Sequence, residues 1–310
     1  MILFIIKRLL LAIPTLFFIV LIVFSLVHLT PGDPFQGEKA MSPEVLKALR
    51  HQYHLDLPFW QQFFYYINNL MHGDFGQSYK FIGQSINELI FPDNMGGFWV
   101  TLNLSLYSML IIIPVGIVLG VYAGLYKNSF LDKLVVTFNV IFSAVPTMVT
   151  GPLLVLLFAV TFHIFPASGY GDGGLYNLFL PVMVLALAYI PTICVVTRGS
   201  IIEVLNSNYI RTARAKGLSD RVIIFKHAIR PTLIPVISVL GPMFVSVLVG
   251  AIVTEQVFAL PGLGILTTNA ATNRDYNLIM AITIFGSFLT IIFNLLVDIM
   301  YFVLDPRIKK

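Results

Sequence analysis

The residues able to do chemistry are few in this chain, and their spacing excludes most catalytic sites. Nucleotide hydrolysis requires a glycine-rich phosphate cradle with Lys and Ser/Thr, and the 310 residues contain no Gly-Lys dipeptide. Metal ligation requires clustered His, Cys or carboxylates; His51 and His54 are close, but they stand on a helix face with no third ligand nearby. A proton-coupled carrier places acids inside its spans, whereas Glu255 and Asp298 lie near the ends of apolar runs. No nucleophile with a base and no paired acids occur at depth, as an intramembrane protease would need. Cys194 sits inside an apolar run and suits packing as a small hydrophobe. Neither a catalytic centre nor a metal site is expected. The remaining concentration of charge is Tyr209–Arg230, with Arg211, Arg214, Lys216, Arg221, Lys226 and Arg230. Asn208 or Ser207 caps a short helix through Lys216, Gly217 supplies the left-handed residue that ends it, and Ser219 caps a second helix towards Pro231. Ala213 and Ala215 beside the bend let another backbone come close. The plainer reading is a basic loop that only fixes topology.

The elements that position this stretch are apolar. The chain is 57% hydrophobic and 11% charged, against about 25% charged in soluble domains. Six runs without Asp, Glu, Lys or Arg are long enough to cross a bilayer as helices: 9–29, 100–126, 134–162, 178–197, 232–254 and 278–297. The first is longer than the apolar core of a signal peptide, so an uncleaved span is expected. The expected class is an all-α membrane protein of six spans, with no nucleic-acid binding because the basic residues flank the spans. With the N-terminus in the cytoplasm, that side holds fourteen Lys and Arg: Lys7, Arg8, Lys127, Lys133, Arg198, Arg211, Arg214, Lys216, Arg221, Lys226, Arg230, Arg307, Lys309 and Lys310. Five lie on the other side: Lys39, Lys47, Arg50, Lys80 and Arg274. This asymmetry places both termini and the basic stretch in the cytoplasm. The expected divisions are a first span at 1–30, an extracytoplasmic helical loop at 31–98, a membrane core at 99–303 with a cytoplasmic loop at 201–231, and a tail at 304–310.

In the long loop, Ser42-Pro43-Glu44 starts one helix and Asp56 with Pro58 opens another. Trp60, Phe63, Phe64, Ile67 and Met71 recur there at helical spacing, suited to docking a partner, to an interfacial belt or to packing the loop onto the spans. Gly73-Asp74-Phe75-Gly76 reads as a turn. Gly116, Gly120 and Gly124 form one face of the second span, where a helix of this chain or of another subunit approaches closely. Pro146, Gly151 and Pro152 predict a kink or break in the third span. Asn139, Ser143, Thr147 and Thr150 in that span are candidates for a pathway lining, or for bonds between helices. Arg198 ends the fourth span and is placed to snorkel to the headgroups, and Arg274 and Asp275 read as surface charges.

The stretch YIRTARAKGL followed by HAIRP resembles the cytoplasmic signature loop of ABC-importer permeases, in its peptide-permease form. Aligned on Gly217, Arg211, Thr212 and Ala213 occupy the positions of the Glu-Ala-Ala motif, and the second Ala and the Gly match strictly. The outer stretch Glu255, Phe258, Pro261, Gly262 and Gly264 is similar to the family's motif of Glu, two residues and Phe, then Pro-Gly-Leu-Gly. GDFG, the following Ser78-Tyr79, and Asn273–Tyr276 also match peptide permeases of the B type. The resemblance implies the type I ABC importer fold, half of a translocation pathway, and a coupling helix at Tyr209, Arg211, Thr212, Ala213, Arg214, Ala215, Lys216, Gly217 and Leu218 that sits in a groove of an ATPase subunit. It implies a short helix near the outer mouth after Glu255. The implied partners are a second, homologous permease subunit in a heterodimer, two ABC ATPase subunits that hold the ATP and Mg, and an extracytoplasmic peptide-binding protein. This chain then carries no cofactor and lies in a bacterial inner membrane, in contact with lipid. The PFQGEK stretch and the loop length look more like the oligopeptide branch than the dipeptide or nickel branches. An ion-coupled secondary carrier is the rival reading.

Overall fold

The computed structural model describes residues 2–30, 35, 42–81, 83–93 and 96–304, so PFQGEK (apart from Phe35) and the tail from Asp305 lie outside the described residues. The described chain is helical: α1 (Ile2–Leu29), α2 (Pro43–Gln52), α3 (Phe59–Met71), α4 (Ile86–Ile90), α5 (Phe98–Leu125), α6 (Phe130–Ala144), α7 (Thr147–Leu154), α8 (Leu175–Leu205), α9 (Asn208–Ala215), α10 (Asp220–Val222), α11 (Ile229–Val257), α12 (Leu263–Thr272) and α13 (Tyr276–Leu304). Two π-helical segments, Val155–Thr161 and Ile223–Ala228, follow α7 and α10. Among the described residues five helices are long and apolar enough to cross a membrane: Ile6–Leu29, Phe98–Leu125, Leu175–Leu205, Asp220–Val257 and Tyr276–Ile299. A broken pair, Phe130–Ala144 and Thr147–Thr161, bent by 106°, brings the number to six when it is counted as one span. Of the kink or break expected there, the structure has the break, for a local reason. The ring of Pro146 forces the residue before it out of the helical region, and Val145 is extended at φ −87°, ψ 119°.

The chain divides into two compact units, Met1–Ile5 with Thr101–Leu260 and Ile292–Lys310, and Ile6–Val100 with Pro261–Ile291. In the second of these, Val20 and Phe24 of α1 bury against Phe63 and Tyr66 of α3 and Met280 and Ile284 of α13. The Phe63 ring meets Phe24 edge-on at 5.4 Å. The aromatic spacing of α3 therefore serves two faces: Phe63 and Ile67 pack inward, while Trp60, Phe64 and Met71 are exposed. Ser42 caps α2 by accepting from the Val45 N–H at 3.4 Å. Gly73 and Gly76 have positive φ, and Asn87 fastens the turn between them, accepting from Phe75 N at 2.9 Å and donating to Gly73 O at 2.6 Å.

Asp275 is not a surface charge. It is fully buried and accepts from the Ser78 hydroxyl, from Tyr79 N at 3.2 Å, from Lys80 N at 3.4 Å and from Leu278 N at 3.2 Å. A buried carboxylate must find such donors, and the segment after GDFG supplies them. The Tyr53 hydroxyl donates to Ser78 O at 3.1 Å and Asn277 donates to Gln77 O at 2.7 Å, closing the same knot. Burial first, and then the Asp275 carboxylate, push the Tyr79 phenol above its usual range.

In the other unit the three glycines of α5 lie against α8. A Cβ on Gly116 would come 2.6 Å from Ile193 Cβ, one on Gly120 2.6 Å from Cys194 O, and one on Gly124 2.1 Å from Ile201 Cγ2. Gly120→Leu is expected to abolish this packing, because its nearest neighbour is a backbone carbonyl that cannot rotate away. The measurement is recovery of monodisperse protein in detergent, with Gly199→Leu as control, since nothing lies within 4 Å of a Cβ there. Equal recovery of both variants would contradict the close approach.

Arg198 has a partner within the chain. Its Nε donates to Asp132 Oδ1 at 2.7 Å and its Nη2 to Oδ2 at 2.8 Å, joining α8 to the start of α6. Asp132 is buried, and a guanidinium in reach satisfies it at both oxygens.

Candidate functional site

The basic stretch forms helix, bend and helix. Ser207 is the N-cap of α9, but its hydroxyl turns back to donate to Val204 O at 2.6 Å and makes no cap bond. The helix ends as its sequence predicts. Gly217 stands at φ +76°, Gly217 N donates to Arg214 O at 2.9 Å, and Leu218 N donates to Ala213 O at 3.3 Å. This pair of bonds is the Schellman ending, which a left-handed residue completes. Ser219 is the next N-cap, again without a side-chain bond. The second helix is not a simple α-helix that stops at Pro231. After the single turn of α10 it widens into the π-segment and then continues through Pro231 as α11. A proline offers no N–H to the preceding turn, and the wider turn absorbs that loss.

The loop has an inner and an outer face. Ile201 of α8, Ile210 and Ala213 of α9, Ile223 and Ala228 form one buried cluster, with Val204 and Leu205 packed against it. Tyr209, Arg211, Thr212, Arg214, Ala215, Lys216, Gly217, Leu218 and Phe225 are exposed. Ala213 therefore does not offer a small surface to another backbone; it is the chain's own anchor for α9. Ala215 remains on the exposed face. Residues 201–205 continue α8, so the stem of the loop is a rigid helix.

The four polar residues of the broken span separate. Asn139 is buried in α6, Thr150 is buried in α7 and donates to Pro146 O at 3.3 Å, Thr147 is half-buried and Ser143 is exposed. Neither amide atom of Asn139 makes a conventional hydrogen bond among the described residues, and its polar neighbour is the Cys194 thiol, a weak partner.

The outer motif ends α11 in a second Schellman arrangement, with Leu260 N donating to Glu255 O at 2.8 Å and Ala259 N to Gln256 O at 3.3 Å. Ala259 takes the left-handed position at φ +50°, where glycine is usual. Glu255 and Phe258 are buried, and Phe258 O accepts from Gly169 N at 2.8 Å. Beyond them Pro261 O accepts from Gly97 N at 2.8 Å, Gly262 caps α12 and Gly264 is buried within it. The motif is therefore not a short helix of its own: it is the end of α11, a turn over 258–262 and the start of α12.

The residue that sequence reasoning missed in the first unit is Asp132. A signal was present: Ser129 and Asp132 have the spacing of a capping box before an apolar run. In the structure Ser129 Oγ accepts from Asp132 N at 3.2 Å, and Asp132 Oδ2 accepts from Asn128 N at 2.8 Å.

Comparison with known proteins agrees with this architecture. Residues 116–310 match the family model described as the inner membrane component of binding-protein-dependent transport systems, and residues 1–85 match the model of its N-terminal region. The chain is 45% identical over 306 residues to the oligopeptide transport system permease protein OppB of Haemophilus influenzae, covering 99% of each. It is 39% identical to the dipeptide permease DppB of Bacillus subtilis, covering 99% of this chain and 97% of that one. Among solved structures, the inward-facing MetNI methionine ABC transporter aligns with a TM-score of 0.55 at 17% identity, over 67% of this chain and 94% of that one. This chain belongs to the family of binding-protein-dependent transport system inner membrane components.

Proposed function

We propose that this chain is one membrane subunit of an ATP-driven importer of short peptides, oligopeptides in the first place, and that α9 with its glycine bend is the surface through which an ATPase subunit drives it. The observation that carries the reading is the two-sided loop: an exposed row from Tyr209 to Leu218 seated on a buried cluster at the foot of α8. A loop that only sets topology needs basic residues but no fixed inner face. The peptide class is supported by full-length similarity to permeases named for oligopeptides and, at lower identity, for dipeptides. In this reading the chain does no chemistry of its own. A second permease subunit completes the pathway, two ATPase subunits hold ATP and Mg, and an extracytoplasmic binding protein delivers the peptide. Of the four polar residues of the broken span, Ser143 and Thr147 remain the candidates to face that peptide, whereas Asn139 and Thr150 are buried within the chain, and the GlyxxxGlyxxxGly face of α5 holds the span that flanks it.

The test is reconstitution in vesicles with the subunits encoded beside it, measuring uptake of a labelled pentapeptide and a labelled dipeptide. ATP-dependent pentapeptide uptake supports the reading, dipeptide uptake alone moves the substrate to the dipeptide class, and uptake driven by an ion gradient without ATP overturns it. The charge asymmetry further assigns both termini to the cytoplasm and residues 31–98 to the outside. With Cys194→Ala as background, Ser42→Cys is expected to react with an impermeant thiol reagent in intact cells. Reaction only after permeabilisation would reverse the orientation.

A further inference from the structure

We propose that Asp132 and Arg198 are a positioning pair that ties the broken span to the stem of the coupling loop, so that a displacement delivered at α9 is carried into α6. The proposal rests on the coupling role given to α9 above. The first observation is the bond itself. Two parallel contacts of 2.7 and 2.8 Å fix both distance and angle between the helices, as a single contact would not. Asp132 is buried and is held further by Asn128 N and Ser129 Oγ, so the start of α6 is rigid around it.

The second observation is where the pair sits on α8. Ile201, about one turn further along, belongs to the buried cluster that holds Ile210 and Ala213 of α9. The same stretch of α8 is gripped from the other side by α5, whose Gly120 lies against Thr197 and the Arg198 backbone and whose Gly124 lies against Ile201. From α9 to Arg198 there is therefore packed side chain and continuous helix, and Arg198 hands the contact to Asp132. The third observation is what lies beyond. Asn139, about two turns further along α6, is buried with the Cys194 thiol as its polar neighbour, so among the described residues α6 loses no conventional side-chain hydrogen bond there when it moves. The ion pair is the fixed end of α6, and the far end is the 106° break.

The experiment uses the complex reconstituted with its partner subunits, and reads ATP hydrolysed per peptide imported. Arg198→Gln and Asp132→Asn are expected to raise that ratio about tenfold, with basal hydrolysis and assembled yield retained. The swap Asp132→Arg/Arg198→Asp is expected to return the ratio to within about threefold of the parent. Spin labels at Thr137→Cys and Val195→Cys, on Cys194→Ala, report the α6–α8 distance: narrow with and without nucleotide in the parent, broad in Arg198→Gln. A parent-like ratio in Arg198→Gln overturns the proposal, as does a swap that restores yield but not the ratio. If the single variants fail to assemble, Arg198→Lys keeps the charge and loses the fork; a raised ratio there supports the proposal and an unchanged one overturns it. Gly217→Val measured alongside separates the two readings. Normal coupling in that variant removes the role of α9, whereas lost coupling there with parent behaviour at the pair removes only the pair.

Discussion

Gly217→Val is expected to abolish peptide transport and receptor-stimulated ATP hydrolysis together, while peptide binding by the separate receptor is unchanged. The cause is confined to the backbone. Gly217 sits at φ +76° with nothing within 4 Å of a Cβ, so the valine meets no steric obstacle and only the left-handed conformation opposes it. For a β-branched residue that conformation costs roughly 1–3 kcal/mol. A valine escapes the cost by leaving that region, which breaks the bonds from Gly217 N to Arg214 O and from Leu218 N to Ala213 O and changes the angle between α9 and α10. Gly217→Asn tolerates the left-handed region and is expected to retain most coupling. Ala213→Glu is a less specific probe, because Ala213 is buried among Ile210, Ile223 and Ala228, where an unpaired carboxylate destabilises the loop as a whole. Ala215→Glu, on the exposed face, probes the docking surface alone. The measurement is ATPase activity of the reconstituted complex with and without loaded binding protein. Full stimulation in both Gly217→Val and Ala215→Glu would show that ATPase motion enters elsewhere.

Asp275→Ala is expected to release the segment 76–81 from the helices beneath it. Four donors converge on that carboxylate: the Ser78 hydroxyl and the N–H groups of Tyr79, Lys80 and Leu278. Each donor left buried and unsatisfied costs about 1–3 kcal/mol, so the knot opens to water instead of closing around a void. Asp275→Asn keeps one acceptor oxygen and loses less. Hydrogen exchange of residues 76–90 is the measurement, with the expected result a large rise in Asp275→Ala, a smaller one in Asp275→Asn, and parent exchange in the α5–α8 region. Parent exchange at 76–90 in Asp275→Ala would show that the Tyr53 and Asn277 bonds suffice.

What the sequence made legible was whatever depends on neighbours along the chain. Gly217 ends α9 because a left-handed residue is needed four positions after the last bonded helical carbonyl, that of Ala213, and only composition within about one turn decides that. Pro146 announces a break for the same reason, although its angle depends on how Val145 relaxes. The apolar runs are legible because each satisfies its backbone internally. Contacts set by distant residues were misread. Asp275 looks like a loop charge beside Arg274, and its donors lie 195 to 197 residues away at Ser78, Tyr79 and Lys80. Arg198 looks like a snorkelling base because Asp132 is 66 positions earlier, between Lys127 and Lys133. Ala213 shows the same limit within one helix: small size suited close approach, but the partner is Ile223 across the bend. The π-segments follow Pro152 and precede Pro231, and no periodicity in the sequence marks them.

The bond between Ser78 and Asp275 also sets an order of events during synthesis. Its two ends are separated by 197 residues, so the segment after GDFG has its donors ready long before its acceptor exists. Every span except the last is made while those N–H groups still bond to water, and closing so long a loop is entropically slow. The aromatic layer begun by Phe24 and Phe63 is likewise completed only by α13, which supplies Met280 and Ile284. A nascent chain that stalls before α13 leaves that layer open and its rings uncovered, a state that proteases can recognise. Only a chain translated past Asp275 can close the region that α1 begins.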